Sequence, residues 1–271
     1  MFVLLIVAPA LARAELKFVM TPRLSAIELT SMFTPLVQYL AKETGERVTL
    51  VIPKDFDTLK QVVRTGQADL GFTNPLIYIQ LQREVGIKPL AVSAEKAGAK
   101  MRGVIIARKD SRIGTVTDLK GKKLIFVDKD SAAAYILQIL LLSRAGLERD
   151  RDFAVLPFAK TQANVALAVY NKVADAGAMR EEDVEKMKGK IDLSQVKIVA
   201  YTDYIPNQLM FAKSGLDQAR ADRVRKALLK LKVESSEANA VLSPAQLIGF
   251  TSINDKDYDQ FRQAAKAAGA F

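Results

Sequence analysis

The sequence predicts an α/β protein built as two facing lobes, and three observations carry that prediction. Apolar runs of strand length alternate with helical periodicity almost throughout, the pattern of sheets covered by helices on both faces. Two stretches match each other in order, Gly66-Gln-Ala-Asp-Leu-Gly-Phe72 and Lys172-Val-Ala-Asp-Ala-Gly-Ala178, each a helix end, Ala-Asp and a short strand. The 271 residues allow one large domain or two small ones, with ample chain to bury a core.

A strand at 16–20 leads into a helix over 26–44, in which Met32, Phe33, Leu36, Val37 and Leu40 share one face. A strand at 48–52, a helix over 56–65 and a short strand at 68–72 follow. The next helix, 76–85, starts behind Pro75, whose ring presets φ and whose missing N–H would be unpaired there anyway. Residues 89–93 and 104–107 read as strands. A second cycle then begins with a strand at 123–127 and a helix over 131–145, stopped by Gly146. A strand at 153–157, a helix over 162–171, a strand at 174–178 and a short helix at 181–187 complete it. Strands at 196–200 and 208–211 return the chain, and the tail is helical over 217–233, about 244–248 and about 258–268. With crossings near 95–105 and 200–210, residues 15–98 and 205–271 form one lobe and 99–204 the other. Ligands of open α/β sheets lie beyond the carboxyl ends of the strands, so the site is expected between the lobes.

Composition narrows the chemistry. The chain has no His and no Cys, which removes Ser-His-Asp and Cys-His nucleophiles, ordinary zinc sites and disulfides. No loop has the carboxylate spacing of a calcium site, so neither a metal nor a cofactor is expected. No carboxylate or Lys pair stands out as catalytic machinery, and the chain reads as a binder rather than an enzyme. The net charge of +10 raises nucleic acid as a partner, but Lys and Arg are scattered among acids, as in Arg149-Asp150-Arg151-Asp152. Without a run of like charge or a basic patch interleaved with aromatics, nucleic acid is not expected. The apolar stretch 2–11 ahead of Ala12-Arg13-Ala14 reads as a secretory leader cleaved after Ala14, or alternatively as a buried first strand.

Several segments then agree in order and spacing with one known family. They are Thr21-Pro22 after the first strand, Phe33-Thr-Pro-Leu-Val37 with Thr44-Gly45, Gly66-Gln-Ala-Asp-Leu-Gly-Phe-Thr-Asn74, Gly103-Val-Ile-Ile-Ala-Arg-Lys-Asp-Ser111, Asp118-Leu-Lys-Gly121 and Asp128-Lys-Asp-Ser131. The chain resembles the phosphate/phosphite/phosphonate-binding periplasmic proteins of ABC transporters. That resemblance implies a type II periplasmic-binding-protein fold, two doubly wound sheets joined by two crossing strands. It also implies a monomer that takes a small phosphorus oxyanion and presents it to an ABC permease in the inner membrane. A solute-binding sensory protein working with a membrane sensor, and a binder of a less polar ligand, remain as alternatives on the same fold.

Capture of an oxyanion without a metal needs the unpaired N–H groups of helix N-termini, with hydroxyls beside them. Four entries into helices meet the requirement: Thr21 to Ala26 with Arg23, Thr73-Asn74, Asp130-Ser131-Ala132-Ala133, and Lys160-Thr161. In the family, the loop that corresponds to Ser131-Ala132-Ala133 is a Ser-Thr-Ser run, so Ser131 keeps a hydroxyl while Ala132 and Ala133 keep only their amides. The resemblance places a pocket histidine of the family at Thr161 and an amine-binding acid at Gln208. Both departures count against an aminoalkylphosphonate. Tyr204, beside the return crossing, is expected as a wall of the cleft. Each residue also has a plainer role open to it: Ser131 and Thr161 as helix caps, Thr73 and Asn74 as a turn, Arg23 as a surface charge. Arg180, at the end of its strand, either reaches the cleft or pairs with a nearby acid, and Tyr78 is expected to be packed.

Overall fold

The computed structural model describes residues 15–271, and the leader read over 1–14 lies outside the described residues. The first lobe opens with β1 (Glu15–Met20), α1 (Ala26–Thr44), β2 (Arg47–Val51), α2 (Phe56–Arg64), β3 (Leu70–Thr73), α3 (Pro75–Val85) and β4 (Lys88–Ala94). A two-residue strand β5 (Lys100–Met101) crosses to the second lobe. There follow β6 (Gly103–Arg108), β7 (Lys123–Ile125), a π-turn (Ala132–Ile136) running directly into α4 (Leu137–Arg144), α5 (Arg149–Asp152), β8 (Ala154–Val155), α6 (Gln162–Tyr170), β9 (Ala176–Arg180), α7 (Glu182–Glu185) and β10 (Val196–Tyr201). The return crossing is β11 (Ile205–Pro206), antiparallel to β5. Back in the first lobe lie β12 (Leu209–Ala212), α8 (Gln218–Lys230), α9 (Ser236–Leu242), β13 (Gly249–Thr251) and α10 (Asp259–Ala267).

Apart from the added edge strand β13, the two main sheets share one strand order. The first runs β13-β4-β12-β3-β1-β2 and the second β10-β6-β9-β7-β8. In each, the third strand of its cycle (β3 or β9) lies between the first strand and an antiparallel strand. That antiparallel strand is the one adjoining a crossing: β12 follows β11 and β6 follows β5. The short match seen in the sequence therefore marks β3 and β9, which hold equivalent places in the two sheets. Both sheets are mixed rather than purely parallel, because each admits a strand delivered by a crossing.

Side-chain alternation on the strands separates the cores. On β1, Leu16, Phe18 and Met20 face the cluster made with α1 and α8, while Val19 faces α2, α3 and α10. On β6, Val104 and Ile106 pack against α6, while Ile105 and Ala107 face the Phe126–Leu142 side. The helix α1 is set by a capping box between Ser25 and Glu28 at its start and by Gly45 at φ 72° at its end, where a side chain would strain the left-handed backbone. Its buried face is Leu29, Phe33, Leu36 and Leu40, each worth about 1.5–3 kcal/mol of burial. One core spans the lobes: Ala132, Ala133, Ile136 and Leu137 pack with Ile77, Tyr78, Tyr258 and Phe261 of the first lobe. Tyr78 is packed as expected, its ring 4.8 Å from that of Tyr258 and its hydroxyl donating to Asp255 at 2.6 Å. Among the described residues no helix is long and apolar enough to cross a membrane.

Candidate functional site

The carboxyl ends of β1, β3, β7 and β9 open onto one cleft of about 650 Å³ between the sheets. Of the residues expected from the sequence, Thr21, Arg23, Asn74, Ser131, Ala132, Ala133, Thr161 and Gln208 line it, and Arg180 lines it too. Thr73 and Tyr204 do not. Thr73 is fully buried behind Thr21, whose hydroxyl is shared between the Phe72 carbonyl at 3.0 Å and Thr73 Oγ1 at 3.2 Å. The two hydroxyls thus fasten the ends of neighbouring strands. Tyr204 faces outward and is 48% exposed, because the pairing of β11 with β5 turns the preceding residue away from the cleft. There Tyr204 and Tyr201 sit on Arg102, with its guanidinium 4.6 and 3.9 Å from their ring centroids.

The second lobe offers the donors. Ser131 caps the π-turn, its hydroxyl accepting from the Ala134 N–H at 3.2 Å, so the hydroxyl proton stays available to an acceptor in the cleft. The amides of Ala132 and Ala133 have no acceptor among the described residues. They belong to the first turn, whose N–H groups have no carbonyl behind them. The turn is held from below: Gln138 Nε2 donates to the Ala133 carbonyl at 3.1 Å and to Val104 at 3.3 Å. Gly103 passes so close that a Cβ there would lie 2.1 Å from the Ala133 carbonyl oxygen and 2.2 Å from Gln138 Nε2. Thr161 caps α6 in the same way, accepting from Asn164 N–H at 3.1 Å, and Lys160 before it is held by Asp128 at 3.3 Å.

The first lobe supplies Arg23. Its guanidinium lines the cleft with no carboxylate within 4.0 Å among the described residues, and its buried Nε has no partner. Burial, and then the charge of Arg180 beside it, hold its pKa below the ordinary guanidinium value. Arg180 is the contrary case. Its two terminal nitrogens meet Glu95 at 2.8 and 3.1 Å, and its Nε meets Asp183 at 3.0 Å. Burial works against its charge, but Asp183 and Glu95 outweigh it and raise its pKa. Burial likewise opposes the Asp183 carboxylate, yet Arg180 and Lys186 bring it well below the usual range. Glu182, whose buried oxygens accept no hydrogen bond from a neighbour and reach Arg180 Nε only at 3.7 Å, is pushed up by burial. Asn74 is fully engaged: Oδ1 caps α3 by accepting from Leu76 and Ile77, and Nδ2 donates to the Asp130 carbonyl at 3.1 Å. The Gln208 amide has one buried arm, Oε1, without a partner.

The sequence does not single out Leu24, Ile27 and Met187, which with Met32, expected on the apolar face of its helix, form an apolar lip on the same cleft, nor Lys186 and Lys190 at its edge. Ile27 is 84% exposed on the first turn of α1, a large apolar side chain where a solvated helix start carries polar ones. That was the available signal. Among the described residues no acidic cluster is placed to hold a metal ion.

The model of the family described as "ABC transporter, phosphonate, periplasmic substrate-binding protein" matches residues 18–258. The phosphate-import protein PhnD of Mycolicibacterium smegmatis is 27% identical over 92% of this chain and 84% of its own. The tetrathionate sensor histidine kinase TtrS of Salmonella typhimurium is 25% identical over 76% of this chain, which spans 38% of the kinase. Among solved structures, PhnD1 of Prochlorococcus marinus in complex with methylphosphonate superposes with a TM-score of 0.84. It is 16% identical over 95% of this chain and 99% of its own, a likeness of fold.

Proposed function

Because this chain belongs to the periplasmic substrate-binding proteins of phosphonate ABC transporters, we propose that its cleft takes a small phosphorus oxyanion carrying an organic substituent. The observation that carries this reading is the pair of unpartnered amides at Ala132 and Ala133, beside a hydroxyl proton of Ser131 that is free to donate. Phosphonate oxygens would accept from these donors and from Thr161, in the manner of anions at helix N-termini. Arg23, with no carboxylate within 4.0 Å among the described residues, would supply the positive charge that balances the anion. The apolar lip of Leu24, Ile27 and Met32 and the cleft's 650 Å³ favour a substituted phosphonate over bare phosphate. An amino substituent is disfavoured: Asp183 is occupied by Arg180 and Lys186, and Glu28 by Ser25.

In this reading the protein performs no chemical step and works as a monomer without nucleic acid. Residues 15–98 with 205–271 and residues 99–204 move as two bodies about the crossings, and a membrane permease reads the closed form. Export would remove residues 1–14 at Ala14. The similarity to a tetrathionate sensor kinase supports a second reading, in which the same closure is presented to a membrane sensor. Permease and ATPase genes beside this one would favour transport.

The test is thermal stability of the Glu15–Phe271 protein, refolded free of copurified ligand, against methylphosphonate, ethylphosphonate, 2-aminoethylphosphonate, phosphite, phosphate and an alkanesulfonate. A ligand at 100 times its Kd adds about 2.7 kcal/mol, a shift of several degrees. The alkylphosphonates are expected to shift the transition most, and a flat panel would overturn oxyanion capture.

A further inference from the structure

At the cleft the lobes also meet through charged groups that the anion site does not use. Lys60, on α2 of the first lobe, places Nζ 3.0 Å from Asp130 Oδ2 of the second lobe and 3.1 Å from Asp57 Oδ1 of its own helix. Lys129 of the second lobe closes the set, 2.9 Å from Asp130 and 3.9 Å from Asp57. The signs therefore alternate across the gap, an acid and a base from each lobe. Lys60 and Asp130 are 7% and 5% exposed, unusually deep for such side chains. The Asp130 carbonyl is held independently by Asn74 Nδ2, also from the first lobe. The residue that follows Asp130 is Ser131.

A buried ion pair costs much more to leave half-made than an exposed one, because the abandoned charge keeps its desolvation penalty. The Lys60–Asp130 pair is complete only while the lobes are together, and it grips the chain one residue ahead of the candidate donors. We infer that Lys60 is a positioning residue. By holding Asp130 it fixes Ser131 and the Ala132 and Ala133 amides against the first lobe, and so slows release of the ligand. The inference rests on the reading that these donors hold the oxyanion.

The experiment compares wild type with K60M, D130N, the double variant and K60R. Methylphosphonate is the probe, with Kd from calorimetry and the release rate from 31P line shapes. K60M is expected to raise Kd and the release rate together by tenfold or more, leaving association within twofold. The double variant should be no worse than either single change, since neighbours in one network couple non-additively, and K60R should recover most of the loss. Hydrogen exchange of wild type and K60M, both saturated with methylphosphonate, the state in which the lobes are together, supplies a second readout. The Ser131, Ala134 and Ile136 amides should lose protection in K60M, while those of α8 keep it. Wild-type release rates in K60M, additive effects in the double variant, a loss confined to association or unchanged exchange at Ser131–Ile136 would each overturn the inference alone, with the phosphonate reading intact. Failure of wild type to bind any phosphonate would instead remove that reading and the positioning role built on it.

Discussion

At Arg23 the needs of stability and of binding oppose each other. Arg23 is half-buried, with its Nε buried and unpartnered, so part of its guanidinium carries a desolvation penalty in the ligand-free protein and gains from an anion when one arrives. Arg23→Met is therefore expected to leave the chemical denaturation midpoint of the ligand-free protein unchanged or higher while weakening alkylphosphonate binding by at least tenfold. A fall in both would mean that the side chain supports the fold instead. Ser131 has two roles that one substitution separates. Ser131→Ala should cost about 1 kcal/mol of ligand-free stability through the lost cap, and about 1–3 kcal/mol of binding through the lost hydroxyl, read by denaturation and calorimetry in turn. Gly103→Ala tests the support beneath: a methyl group 2.1 Å from the Ala133 carbonyl forces the backbone apart. Overpacking of this kind costs about 1–3 kcal/mol, and affinity should fall with stability. Some of these residues were legible in the sequence because Ser, Thr and Arg stood at strand-to-helix entries. Thr73 was not, since all four residues of β3 are buried and alternation gives no direction there. Tyr204 was not, because its outward turn depends on residues 100 and 101 pairing with 205 and 206, a contact that no local pattern contains.

Elements were read best where periodicity was long. The helix α1 falls at 26–44 as expected, and the strand matches at 66–72 and 172–178 correspond to equivalent strands of the two sheets. Short elements were read worst. The segment over 244–248, expected to be helical, is a 3-10 turn (Ser243–Ala245) leading to β13, which exists because Gly249, Phe250 and Thr251 pair with Ala94, Ser93 and Val92. The helix expected over 131–145 divides into a π-turn and α4. A π-turn reaches one residue further for each carbonyl, as in Ile136 N–H to the Ser131 carbonyl at 3.1 Å, so its opening amides stay free for one residue longer. The short α6 gives an element-scale test at Thr161. Thr161→Ala should fray the start of the helix and lower stability by about 1 kcal/mol, whereas Thr161→Ser should preserve both the cap and ligand affinity. Helicity over 162–170 by NMR separates fraying from a direct loss of binding.

For the molecule as a whole, the absence of His and Cys leaves no side chain with an ordinary pKa between about 5 and 8. Stability should accordingly vary little over that range, the Glu182 carboxyl pushed up by burial being the exception, and fall on both sides. On the alkaline side, burial pushes Tyr39 up to about 12 and holds Tyr78 and Tyr258 higher still. Folded values above the unfolded value of about 10 give a contribution that is complete below pH 10 and lost as the pH rises through the folded values. On the acid side, the Asp183 and Glu95 carboxylates buried against Arg180 keep depressed values. Their contribution is present above about pH 4 and disappears as the pH falls. Urea midpoints from pH 3 to 11 would show a plateau with two shoulders, and a step near pH 6.5 would contradict it.

The strand order has a consequence for how the molecule is made. Everything in the five-stranded sheet, β6 to β10, is continuous in the chain, whereas the six-stranded sheet lacks its middle strand β12 until the return crossing has been completed. Emerging from its amino terminus, the chain therefore presents β3 and β4 with unpaired edges while the second sheet assembles, the kind of open edge that templates wrong pairings. Long-range closure is also the slower event in folding. Pulse-labelled exchange during refolding should find β6, β7 and β9 protected before β1, β3 and β4. The lobe that begins first in sequence is the one that is finished last.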